Sequence, residues 1–194
     1  NYAVDREVGD QFVQMFPQIV DIARASRGFL SRAVTHLADE AGIDQFLDIG
    51  NGLPTVDNTH EVAQRVRPQA RVVYVDNDPV VLAHARALLL GSTEGFTTYI
   101  DADLRDPDRI LALAAEHLDF GRPIGLMLMN ILGHVPELDD ARAIVTHLVA
   151  ALLDTTVTWL DDAATFVPVD RPDAVAAAVR DVLAKSGLVR PSTG

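Results

Sequence analysis

Short apolar runs and longer segments with a three-to-four-residue rhythm take turns along most of this chain. Residues 1–27 mix charges with spaced apolar positions such as Phe12, Phe16 and Ile19, which predicts one or two short helices interrupted near Pro17, where no backbone N–H is available. From Phe29 the positions Leu30, Ala33, Val34, Leu37 and Ala41 recur at helical spacing, and Gly42 follows where a helix C-terminus favours a positive φ. A regular alternation then begins. QFLDI (45–49), RVVYV (71–75) and FTTYI (96–100) are strand-like, and IGLMLMNIL (124–132) is a continuous apolar run suited to a central strand. Between and after them lie helical patterns at 58–66, 79–90, 107–118 and 137–153. Asn58 and Glu61 have capping-box spacing, and Pro79 suits a first helical turn.

Strands and helices in strict turn imply parallel strands joined by right-handed crossovers, with helices on both faces. The expected fold is therefore α/β, a doubly wound, mainly parallel Rossmann-like sheet. Beyond Leu153 the pattern weakens: 155–160 and 166–169 have strand character, and 171–187 reads as a helix closed by Gly187. No repeat or linker divides the chain. The expected organisation is one domain, with a helical segment (1–44) packed on a binding domain (45–194).

Composition narrows the function classes. Sixteen basic residues against 28 acidic ones give a net charge of −12. The average surface field repels a phosphate backbone, which argues against nucleic acid as a partner. The absence of cysteine excludes disulfides, thiolate catalysis and Cys-ligated zinc, and suits a cytoplasmic location. No apolar stretch approaches the roughly 20 residues of a membrane span, and the opening NYAVDREVGD is charged rather than signal-like. His36, His84, His117 and His147 show no metal-ligand spacing, so no metal site is expected.

The chemistry concentrates in FLDIGNGLPTVDN (46–58). In an open parallel sheet, ligands sit beyond the carboxyl ends of the strands where the strand order reverses. Gly50 and Gly52 allow a tight turn and close approach of a ligand, and the following helix offers free amide donors. A dinucleotide fingerprint would place its third glycine at position 55, which is Thr55, and would leave the acid Asp48 facing a pyrophosphate. A ligand with positive charge near this loop suits Asp48 better.

Asp48-Ile-Gly50-Asn51-Gly52, an acid at the end of the second strand (Asp76 in VVYVDNDP) and an acid after the third (Asp103 in YIDADLRDP) together resemble the class I S-adenosylmethionine-dependent methyltransferases. More narrowly, the segments resemble a bacterial group of S-adenosylmethionine methyltransferases of unassigned substrate, formerly classed as a domain of unknown function. The likeness runs from about Tyr2 to Val149 and is most specific between Gln45 and Asp106; the group's loop tends to read GxGLPT, which accounts for Pro54. The resemblance implies S-adenosylmethionine as cofactor. It implies Asp76 on the ribose hydroxyls, Asp103 and the Leu104 amide on the adenine, and Asp48 with the Gly50 and Gly52 backbone around the methionine end, with Asn51 among the cofactor contacts. Asn77 and Asn130 join the candidate cofactor contacts, although Asn77 and Asp78 equally suit a cap for the helix opening at Pro79.

Methyl transfer needs alignment in a dry pocket, and a general base only where the acceptor must lose a proton. The candidates for that chemistry are Asn130 and His134 in MNILGHVPE, since a histidine can take up a proton near neutral pH; His134 as a half-buried residue bonded to backbone is the alternative. His60 either lines the cofactor's carboxylate end or is exposed. Arg24 and Arg27 either meet the methionine carboxylate or sit on a solvated helix face. The group's members continue past a glycine-rich turn into a fifth strand and an antiparallel pair. ALLDTTVTWLDD has no such turn, so the C-terminal part of the sheet is expected to be shortened or incomplete. The leading reading is a methyltransferase acting on a small-molecule acceptor, with no expectation of oligomeric state. The alternatives are a binder of S-adenosylmethionine or S-adenosylhomocysteine without transfer activity, and an NAD-dependent oxidoreductase.

Overall fold

The computed structural model describes residues 11–152, apart from 12, 55 and 89–93. The order is α1 (Ile19–Asp39), β1 (Gln45–Ile49), α2 (Thr59–Val66), β2 (Arg71–Asp76), α3 (Pro79–Leu88), β3 (Phe96–Asp101), α4 (Pro107–Ala114), β4 (Gly125–Met127), a 3-10 turn (Ile131–His134) and α5 (Leu138–Ala151). The sheet runs β3-β2-β1-β4 with every neighbour parallel. The doubly wound α/β fold is therefore present, and its strand order reverses between β1 and β4. The segments expected at 155–160, 166–169 and 171–187, and with them the shortened C-terminal sheet, lie outside the described residues.

Strand periodicity divides the core into two layers. Phe46, Val72, Tyr74 and Met127 face one side, where Leu30, Val34 and Ala38 of α1 and Val62 and Ala63 of α2 cover them. Leu47, Ile49, Val73, Val75 and Ile100 face the other side, against Ile110 and Ala114 of α4 and Ile144 and Leu148 of α5. Each buried aliphatic side chain contributes about 1.5–3 kcal/mol, which is why α1 tolerates Gly28 inside it. The helix itself begins at Ile19, ten residues before the start predicted by the Phe29 rhythm, although its buried residues begin only at Leu30. The break at Pro17 occurs: helical residues 13–15 give way to a turn at 16–18.

Local signals account for the starts of α2, α3 and α4. Glu61 accepts from the Asn58 amide at 2.8 Å in a capping box that opens α2. Asp78 accepts from the Val80 amide at 2.7 Å at the head of α3. Asp106 accepts from the Arg109 amide at 3.2 Å with Pro107 in the first turn of α4. Gly42 takes φ +71° after α1.

The apolar run at 124–132 behaves differently from its expectation as one long strand. Only Gly125–Met127 pair with β1, and the register ends at Asp48↔Met127. One position later β1 reaches Ile49 and then Gly50, whose φ of +76° turns the chain away while its amide bonds to Val75 O at 2.8 Å. Backbone groups beyond Met127 thus lose their partner on β1 and turn instead into the 3-10 segment. Ile131 and Leu132 remain apolar because they pack on the α4/α5 layer; hydrophobicity there reports burial, not strand.

Candidate functional site

The β1–β2–β3 register brings Asp48, Tyr74 and Tyr99 abreast on three neighbouring strands, on the face covered by α1 and α2. Asp48 is 2% exposed. Its Oδ2 accepts from the Thr59 hydroxyl at 2.6 Å, and its Oδ1 has no hydrogen-bond partner among the described residues. Burial is the main cause that raises the Asp48 pKa to about 6; the Thr59 hydrogen bond and the positive charge of Arg27 oppose the rise, and Asp76 adds to it. Tyr74 stacks on Tyr99 with ring centroids 4.7 Å apart. Burial is also the main cause that lifts the Tyr99 pKa to about 12, so both phenols act as neutral hydrogen-bonding groups.

Asn51 follows Gly50 at the mouth of this buried row. Its amide nitrogen donates to Gly52 O at 3.0 Å and reaches Tyr99 Oη at 3.4 Å. The carbonyl Oδ1 is left buried, without a donor among the described residues. An inner pocket of about 100 Å³ opens here, lined among others by Arg27, Asp48, Gly50, Asn51 and Asn130. Asn130, in the left-handed region at φ +63°, bonds through its Nδ2 to Ser26 Oγ at 3.2 Å. That bond ties the segment after β4 to α1.

On the other side of Gly50 lies an outer cleft of about 330 Å³, lined by Asp76, Asn77, Asp103, Leu104, Ile131 and His134 among others. Its carboxylates are locally satisfied. Asp76 Oδ2 accepts from the Gly52 amide at 3.1 Å and Oδ1 from the Asp78 amide at 3.0 Å. Asp103 Oδ1 accepts from the Arg105 amide at 2.8 Å, and Oδ2 from Asn77 Nδ2 at 3.1 Å. Asn77 therefore links the loops after β2 and β3, while Asp78 alone caps α3. A carboxylate oxygen has two lone pairs, so each oxygen retains capacity for a ligand hydroxyl or amine. Gly50 is the wall common to both pockets. A Cβ there would fall inside the Ile131 side chain, whereas one on Gly52, at φ +65°, would meet nothing within 4 Å.

All the sequence candidates thus gather at the carboxyl ends of the strands, but in two groups. Asp48, Asn51 and Asn130 face the inner pocket; Asp76, Asn77, Asp103, Leu104 and His134 face the outer cleft; Gly50 belongs to both and Gly52 holds Asp76. The two candidates for acceptor chemistry, Asn130 and His134, open onto different pockets. His134 is exposed, and its carbonyl accepts from Arg105 at 3.1 Å. His60 is half-buried, with its amide donating to Tyr74 Oη at 2.9 Å and its ring Nδ1 on the same oxygen. Arg24 lies on the solvated face beside Asp21, while Arg27 lines the inner pocket. Thr59, Tyr74 and Tyr99 carry no motif of their own. Their signal is parity: Tyr74 and Tyr99 share the face of Asp48 once the strands are paired in register.

The family model described as S-adenosyl methyltransferase matches residues 1–189. Among solved structures, a DUF574 family protein from Streptomyces avermitilis MA-4680 is 47% identical, with a TM-score of 0.73 over 78% of this chain and 58% of that one. A "putative methyltransferase" from Thermobifida fusca YX is 38% identical, with a TM-score of 0.71 over 93% of this chain and 67% of that one. The chain thus spans 58% of the first protein's length and 67% of the second's. A comparison with curated proteins finds no match. By the extent of that family match and the two similar folds, the chain belongs to the S-adenosyl methyltransferase family.

Proposed function

We propose that this chain binds S-adenosylmethionine across the Gly50 wall and transfers its methyl group to a small-molecule acceptor. The observation that carries the reading is the pair of buried acceptor oxygens, Asp48 Oδ1 and Asn51 Oδ1, which have no donor among the described residues and belong to side chains lining the inner pocket. Buried polar atoms without partners are costly, and a ligand ammonium supplies the missing donors. The outer cleft fits the nucleoside half, because its volume suits a small-molecule site and Asp76 and Asp103 present acceptors beside the apolar Leu104 and Ile131.

In this assignment Asp76 accepts from the ribose hydroxyls and Asp103 from the adenine amine, with Leu104 against the base. Asp48 and Asn51 take the ammonium. When bound, S-adenosylmethionine supplies an electrophilic methyl group and its own leaving group. The chain's part is to hold the reactants in line and exclude water, and His134 takes a proton only for acceptors that must lose one. An acidic chain of net charge −12 fits a small acceptor rather than a polyanion. The division expected from the sequence, a helical segment at 1–44 on a binding domain at 45–194 in a cytoplasmic protein, is part of this reading, with 1–10 and 153–194 outside the described residues. Among the described residues, no helix is long and apolar enough to cross a membrane.

Isothermal titration with S-adenosylmethionine, S-adenosylhomocysteine and NAD tests the binding half. Binding of the first two without NAD is expected; NAD binding without response to the others overturns the reading in favour of an oxidoreductase. Release of S-adenosylhomocysteine in the presence of an acceptor library tests transfer. Binding with no turnover across a broad library would favour a sensor.

A further inference from the structure

The inner pocket contains an opposite charge that the family motif does not account for. Arg27 projects from α1, is half-buried, and makes no hydrogen bond or ion pair among the described residues; its neighbour along the chain Arg24, by contrast, sits beside Asp21 on the exposed face. A guanidinium has five donors and no acceptor, and it strongly favours carboxylate or phosphate oxygens. Facing the same pocket, Asp48 and Asn51 each present one buried oxygen with no donor among the described residues. A cation in want of an acceptor and two acceptors in want of a donor therefore share about 100 Å³. That space is less than a third of the outer cleft and too small for a nucleoside.

Candidate ligand groups sort themselves by this pattern. A phosphate would satisfy Arg27 but would set its charge against Asp48. A simple amine would satisfy Asp48 and leave the arginine unpaired. A group carrying an ammonium and a carboxylate on one carbon satisfies both ends and adds no net charge to the pocket. Ser26 and Asn130, already bonded to each other at 3.2 Å, line the same wall and offer a hydroxyl and an amide beside the arginine.

We infer that Arg27 is the carboxylate-recognising residue of an α-amino-acid clamp whose other jaw is Asp48 with Asn51, so that α1 selects ligands by their amino-acid end. This rests on the binding assignment above and adds to it a specificity determinant outside the glycine loop. The clamp gives the site its preference for the intact cofactor over the nucleoside fragment, because a ligand lacking the amino-acid end leaves both jaws unsatisfied.

The test compares S-adenosylhomocysteine with 5′-methylthioadenosine, which lacks the amino-acid end, on the wild-type protein and on Arg27→Gln and Arg27→Lys. The expected result is a loss of about 10- to 100-fold in S-adenosylhomocysteine affinity for Arg27→Gln, the scale of lost charge-assisted hydrogen bonds, with 5′-methylthioadenosine unchanged. Arg27→Lys, which keeps the charge without the planar fork, should fall between the two. The unchanged nucleoside affinity also serves as the check that the variants fold. Equal losses for both ligands, or no loss for either, overturn the clamp while leaving the binding assignment intact. Failure of the wild-type protein to bind either ligand overturns the assignment and the clamp with it.

Discussion

The two pockets that meet at Gly50 solve opposite electrostatic problems. In the outer cleft, Asp76 and Asp103 lie near solvent and each carboxylate oxygen already accepts one hydrogen bond from the chain. They are organised before any ligand arrives, at little cost. In the inner pocket, Asp48 is buried, bonded on one oxygen only, and disfavoured as an anion. The outer cleft is thus a template, whereas the inner pocket is a stored imbalance that a ligand relieves. Binding energy from the inner end is correspondingly sensitive to charge, and energy from the outer end to shape.

The largest effect expected from breaking this contrast is at Asp48. A folded-state pKa of about 6 against an ordinary 3.8 means that the native state holds a proton the unfolded state has released. Stability therefore falls as pH rises from about 4 to 6, and above that window the buried anion costs about 3 kcal/mol. Asp48→Asn should remove that fall, which denaturant unfolding of the unliganded protein at pH 4 and 7.5 would reveal, while weakening S-adenosylhomocysteine roughly 100-fold. For the wild type, affinity should rise about tenfold per pH unit below 6 and level off above it, since the proton leaves on binding; the variant should show a flat profile. Lower stability together with unchanged affinity would reduce the inner pocket to a structural feature.

The wall itself comes next. Gly50→Ala combines a left-handed backbone with collision against Ile131 and should destabilise by about 2–3 kcal/mol, compared with about 1 kcal/mol for Gly52→Ala, which meets no neighbour. Similar melting shifts for the two would mean that Ile131 yields easily. In the outer cleft, Asp76→Ala should weaken S-adenosylhomocysteine and 5′-methylthioadenosine alike by about 2 kcal/mol, whereas Asp48→Asn should affect only the former. Titration of both ligands on both variants separates the pockets directly. The smallest change is expected for Asn77→Ala, which removes one of the two hydrogen bonds that hold Asp103 and should cost about 1 kcal/mol of affinity for either ligand.

Much of this arrangement is legible in the sequence because it depends on local rules. Short strand-like runs marked β1 to β3, and Pro79 and Asn58 announced helix starts by chemistry confined to one turn. The acids at the ends of three successive strands gather at the carboxyl end of the sheet because parallel strands align their ends. What local rules do not carry is pairing. The span of β4 depends on where β1 runs out of backbone partners, and the apolar run 124–132 gives no sign of that limit. Thr59 beneath Asp48 and Tyr99 beside Asn51 are likewise consequences of register. Arg24 and Arg27 lie one turn apart on α1, yet only Arg27 lines the inner pocket, and the docking of the helix decides that rather than anything local to either residue.

Gly50 lacks a side chain for a reason that lies within the protein itself. Ile131, far along the chain and on the opposite flank of the crossover, already fills the space where a methyl group would go. A bare position in a binding turn is usually credited to the guest; here the host claims it first. The partition between the chambers is then shaped by a moulded contact between two distant segments, and trimming Ile131 would widen the outer chamber against a wall that the turn itself still holds.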